Sequence, residues 1–150
     1  MVARVLPPPR FFGIVIEQSL ADPAFAETLD VVFREKDPNG DWVFLIVRVE
    51  PELLAGELER LRLALAGDEV WYAHFFSRAE IAVVYPDAIV RMTTDSASWT
   101  PAIEHGLALG IPIEQLDFSP NTVEQAEERF GISLTEDSQR FESRAPGESV

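Results

Sequence analysis

The sequence predicts an α+β fold, a mostly antiparallel sheet of about five or six strands with helices packed on one face. Three observations lead there. Six runs rich in β-branched and aromatic residues fall into two groups of three, divided by one segment with leucines at helical spacing. The later runs are joined by connections so short that only antiparallel pairing is open to them. Beyond Trp99, helix start and stop signals replace strand patterns.

Residues 1–10 form a tail stiffened by Pro7, Pro8 and Pro9, which favour extended geometry and supply no amide donors. Residues 11–18 read as the first strand. Asp22-Pro23 starts a short helical turn by cap and first-position logic. Runs at 29–36 and 42–50 are strands joined through Asp37-Pro38-Asn39-Gly40-Asp41, where Asn-Gly is a strong hairpin signal. In the second run Val43, Leu45, Val47 and Val49 fill one face while Trp42, Phe44 and Ile46 load the other. A strand apolar on both sides belongs near the middle of a sheet.

Pro51 opens a helix through about residue 66, with Leu54, Leu58, Leu61 and Leu65 on one stripe and Gly67 as its stop. Strands follow at 70–77, 81–85 and 88–94. A helix over 100–109 carries Pro101 in its first turn, Gly110 as terminator and Pro112 beyond. The last helix spans 123–130, with Thr122 and Gln125 at capping-box spacing, an apolar stripe of Val123, Ala126 and Phe130, and Gly131 after it. From residue 133 the chain is polar and aperiodic. The predicted organisation is one domain over 11–132 between two tails.

At 150 residues with 47% hydrophobic side chains, the chain can bury roughly two-thirds of its unfolded surface in one core. The 26 acidic and 12 basic residues leave a net charge of −14. A field of that sign opposes binding to nucleic acid and to anionic lipid. Of this excess −8 lies after residue 94, so the acidic end is the C-terminal third. Cysteine is absent, which excludes disulfides and thiolate metal sites. No apolar run approaches the ~20 residues of a membrane span, and the expected location is cytoplasmic.

Chemical motifs are few. The glycines form no phosphate-binding loop, and Gly106 and Gly110 read as a packing notch and a helix stop. Asp37, Asn39 and Asp41 imitate the start of a calcium loop, but Trp42 and Arg48 stand where glycine and a bidentate glutamate are required. Two histidines, His74 and His105, are too few for a zinc site without help, and His105 falls between the polar side of its helix, with Glu104, and the apolar side, with Ile103 and Leu107. No serine sits in a nucleophile elbow.

His74 draws attention because its strand divides into Trp71, Ala73 and Phe75 on one face and Tyr72, His74 and Phe76 on the other. If the first face meets the helices, the second is open. Taking the less apolar face of neighbouring strands adds Glu17, Arg48, Glu50 and Arg91. Glu17, Arg48, Tyr72, His74 and Arg91 are therefore the candidate ligand-binding set, suited to a small anion, with His74 as acid or base and the arginines as clamps. A solvated face laced by salt bridges, or a homodimer interface, explains the same pattern. The acidic residues Glu114, Asp117, Glu124, Glu127 and Glu128 offer a surface to a basic partner, and solubility explains them equally.

Trp71-Tyr72-Ala73-His74-Phe75, and Leu109-Gly110-Ile111-Pro112 continuing through Gln115 to Asp117-Phe118, resemble a group of small uncharacterised bacterial proteins sharing W-Y-A-x-F and L-G-I-P-x-x-Q-x-D-F. The resemblance covers about a third of the chain and implies no activity. Physically the second motif is a corner: Gly110 stops a helix, Pro112 starts the next turn, and Leu116 with Phe118 pins it to the core. The expectation is a binding or protein-interaction module rather than an enzyme, working with a protein partner or a second copy and without a cofactor or metal. The alternative is a small-molecule protein or small enzyme using the sheet-face set.

Overall fold

The computed structural model describes residues 10–67 and 69–134. Of the two predicted tails, only Arg10 and residues 133 and 134 fall within that range; the rest lie outside the described residues. The strands are β1 (Phe11–Ile16), β2 (Val31–Lys36), β3 (Val43–Val49), β4 (Ala73–Phe76), β5 (Glu80–Tyr85) and β6 (Ala88–Thr93). The helices are α1 (Leu54–Ala64), α2 (Thr100–Ala108) and α3 (Val123–Phe130), with 3-10 turns at Glu17–Ser19, Pro23–Thr28, Pro51–Leu53, Ser96–Trp99 and Ile113–Gln115. The six strands form one sheet in the order β2-β3-β1-β4-β5-β6, antiparallel at every pairing. The α+β class and the antiparallel sheet are as the sequence predicts.

Local signals place most of these elements. In the β2–β3 hairpin the Asp37 amide donates to the Trp42 carbonyl at 2.8 Å, and Asp37 Oδ1 accepts from the Asn39 amide at 3.0 Å. Those bonds use Asp37 to close a turn, the alternative to a cation ligand. Asp22 caps the turn that follows it by accepting from the Ala24 amide at 3.0 Å. Thr122 Oγ1 accepts from the Gln125 amide at 3.0 Å, and Gln125 reaches back to the Asn121 amide at 2.9 Å. Gly110 and Gly131 take positive φ, 94° and 67°, and stop α2 and α3.

Strands β3 and β4 flank β1, and both run opposite to it, so they are parallel to each other and their connection must cross β1. Helix α1 makes that crossing. It sets Leu54, Leu58 and Leu61, with Leu65 beyond its end, on Phe11, Val15, Leu45, Val47, Phe75 and Val84. Gly13 pairs with Phe75 across β1 and β4, and the Phe75 ring lies where a Gly13 side chain would stand.

The other face is covered as well. Phe12, Ile14, Ile46, Phe76, Val83 and Tyr85 pack against Ala102 of α2, Ala126 and Phe130 of α3, and Ile111, Leu116 and Phe118 between those helices. The helices thus divide between both faces instead of sharing one. The reason lies in the central strands: β5 buries Ile81, Ala82, Val83, Val84 and Tyr85 in succession. A strand apolar on both sides needs a cover on each.

The corner after α2 explains that second cover. A Cβ at Gly106 would stand 2.6 Å from Leu116 Cδ2 and 2.8 Å from Tyr85 Oη, so the notch is occupied by the returning chain. Tyr85 Oη donates to the Ala102 carbonyl at 2.6 Å, and burial pushes its phenol up to about 12. Among the described residues no helix is long and apolar enough to cross a membrane.

Candidate functional site

One cleft, of about 360 Å³, opens beside the second core cluster. Its walls come from the sheet, the 69–74 segment, the corner after α2, and Arg129 of α3. Strands β1 and β3 supply Ile14, Ile16 and Phe44, with Trp42 just before β3; the 69–74 segment supplies Trp71, Tyr72 and His74; the corner supplies Ile111, Gln115 and Ser119. The register explains this convergence, since Ile14 stands opposite both Ile46 and His74, and Ile16 opposite Phe44. Side chains directly opposite across a sheet share a face.

The lining is aromatic. Trp42 and Trp71 meet edge to face with centroids 5.7 Å apart, and Trp42 lies 6.4 Å from Phe44 at 83°. Tyr72 packs edge to face on Phe118 at 5.6 Å. Phe118 is fully buried at positive φ, 52°, a conformation that costs a non-glycine residue free energy and that its packing must hold. The two segments of the resemblance therefore form adjoining walls of one cleft.

Four titratable groups belong to the lining, Glu69, Tyr72, His74 and Arg129, and burial shifts two of them. Tyr72 donates its hydroxyl to the Gln115 carbonyl, and burial, followed by the nearby Asp117 and Tyr85, raises its phenol above the ordinary tyrosine range. His74 Nε2 lies 2.7 Å from the Pro120 carbonyl oxygen. A carbonyl only accepts, so Nε2 carries the hydrogen and Nδ1 is the acceptor nitrogen. Burial lowers His74 to about 4, against the opposing pull of the Pro120 bond and of Asp117. At neutral pH the ring is uncharged and its one N–H is committed to holding the corner.

Two further features stand at the cleft. Trp71 Nε1 is buried, with no hydrogen-bond partner among the described residues. Arg129, in the last turn of α3, holds its guanidinium 5.2 Å from the ring centroids of both Phe44 and Phe130. Glu69 also contributes to the lining, and Trp42 (41% exposed) and Val70 (45%) leave apolar surface open to solvent. The arrangement can host a flat apolar body, and one of its lining residues, Trp71, carries the buried unpartnered N–H.

The five residues singled out in the sequence do not converge. Tyr72 and His74 line the cleft and lie under the C-terminal corner, not on an open face. Arg91 stands opposite Ala82, on the α1 face, and pairs with Glu80 at 3.0 Å. Arg48 shares the face of Phe12 but pairs with Asp30 at 2.8 Å, away from the cleft lining. Glu17 pairs with Arg34 at 2.7 Å in the turn after β1. These are half-exposed ion pairs, each contributing about 0–1 kcal/mol. Polarity marks a strand position as reaching solvent but does not say on which face: Arg91, on the edge strand β6, reaches it on the α1 face and Arg48 on the other.

Residues the sequence reading passed over are Trp42, Phe44, Trp71, Gln115 and Arg129. The alternation of β3 already put Trp42 and Phe44 on one face; what was missing was the register that aligns that face with His74. Nothing in α3 pointed Arg129 at a sheet. His105 bonds Asp87 Oδ1 at 2.8 Å, far in sequence from His74's partner, and this bond lowers the Asp87 carboxyl. Among the described residues no three His, Cys, Asp or Glu side chains gather where a metal ion could sit. No family model, no curated protein and no solved structure matches this chain.

Proposed function

We propose that the protein is a non-enzymatic binding module whose aromatic cleft takes a small ligand bearing a flat ring. The observation that carries this reading is the buried Trp71 Nε1 in a cleft walled by Trp42, Phe44 and Tyr72. A buried donor left unpaired costs about 1–3 kcal/mol, and a ligand acceptor recovers it. The volume, about 360 Å³, lies in the range of small-molecule pockets. Against catalysis stand the committed protons: His74 is neutral and bonded, and the Tyr72 phenol is raised and bonded. Neither is poised near pH 7 as an acid or base.

Titration with naphthalene-2-carboxamide, followed by tryptophan fluorescence, tests the reading. Saturable one-to-one binding is expected, weakened about fivefold by Trp71→Phe, which keeps the ring and deletes the donor, and unchanged by Trp99→Phe, outside the lining. No saturable binding, or equal affinity in the Trp71 variant, overturns it. The exposed Trp42 and Val70 favour a second reading, in which the ring is a side chain of a protein partner or of a second copy. The probe then still binds, and it competes with self-association visible by sedimentation.

A further inference from the structure

Resting on the reading of the cleft as a ligand site, we infer that its ligand carries a carboxylate beside the ring, met by Arg129 and the Trp71 indole N–H. Arg10, Arg34, Arg48, Arg60, Arg62 and Arg91 each reach a carboxylate within 3.0 Å. Arg129 and the exposed Arg78 reach none among the described residues, and of these two only Arg129 lines the cleft. It is held instead over Phe44, a cleft wall, and over Phe130 beneath it. Stacking fixes the plane of a guanidinium while leaving its N–H groups at the edge free to donate.

Arg129 and Trp71 both line the cleft, and a carboxylate has two oxygens, enough for one charged and one neutral donor. The overall charge of −14 does not decide the matter, because long-range repulsion between solvent-exposed groups is screened within about 10 Å at ordinary salt. Glu69 does bear on it, since it lines the same cleft. Its repulsion sets against Arg129 and makes a measurable counterweight.

The experiment compares 2-naphthoate, naphthalene-2-carboxamide and 2-naphthylmethylammonium at pH 7 and about 0.1 M salt, where long-range repulsion is screened, against the intact chain and its Arg129→Gln and Glu69→Gln variants. The naphthoate is expected to bind about tenfold more tightly than the carboxamide, an advantage erased by Arg129→Gln and enlarged severalfold by Glu69→Gln. Three results overturn the inference and leave the cleft as a ring site: naphthoate binding no better than the carboxamide, Arg129→Gln weakening both probes alike, or the ammonium binding best. If none of the three probes binds, the proposed function falls with it.

Discussion

Gly13→Ala destabilises the fold by about 3 kcal/mol, although it adds one methyl group to a strand where alanine is otherwise tolerated. The added Cβ would stand 2.2 Å from Phe75 Cδ2 and Cε2 and 2.6 Å from Cζ. Real carbon contacts do not approach that closely, so the ring must move. It has nowhere to go, being 1% exposed and packed in the cluster that α1 closes. Replacing glycine also restricts the unfolded chain, a gain of about 0.4–1 kcal/mol that does not offset the collision.

A double-mutant cycle isolates the contact. Phe75→Ala alone loses about 3–5 kcal/mol through its cavity. Made in the Gly13→Ala background it loses less, because the new methyl occupies part of the space, and the coupling is expected to exceed 1 kcal/mol. Urea denaturation of the four chains measures it. Additive effects would show that the ring does not cover Gly13.

His74→Gln removes an acid-dependent loss of stability on the order of 3 kcal/mol between pH 7 and pH 4. The His74 ring ordinarily titrates at 6.5, and burial lowers it to about 4 in the folded protein. Above 6.5 both states hold it neutral and it contributes no pH dependence. As pH falls through 6.5 the unfolded chain takes up a proton that the folded chain refuses, so the folded state is penalised progressively until about pH 4, where both are charged. Glutamine keeps an N–H for the Pro120 carbonyl and cannot titrate. Carboxylates titrate in the same window, so the quantity to measure is the difference between variant and parent in unfolding free energy at pH 7 and pH 4.5. Parallel pH profiles would mean that His74 is open to water.

The legible part of this fold was its local part. Asn39-Gly40 marks a hairpin, four leucines mark α1, and Gly110 and Gly131 mark helix ends, because each signal is complete within a few residues. The division of the helices between two faces was also written in the chain, in the unbroken apolar run from Ile81 to Tyr85. Such a run marks a strand by its composition, and it demands two covers only once the strand stands inside a sheet.

The site was legible only in half. Tyr72 and His74 stand out on their own strand, and both reach the cleft. Arg91 and Arg48 were placed by polarity alone, and strand pairing sends Arg91 to the opposite face and Arg48 to a pair with Asp30. Trp42, Phe44 and Arg129 enter through register and through the docking of α3, which join residues up to 87 positions apart in the sequence. Such joins depend on non-local packing, to which short-range patterns are blind.

The most direct test of the cleft as a ring-binding site is the indole N–H resonance of Trp71 in the nitrogen-15 correlation spectrum, assigned through Trp71→Phe and followed during titration with naphthalene-2-carboxamide. An acceptor arriving at Nε1 moves that resonance downfield, saturably and with the affinity read by fluorescence, while the Trp99 indole stays in place. A Trp71 resonance that does not move at saturating probe, or one that moves no more than Trp99, contradicts the account.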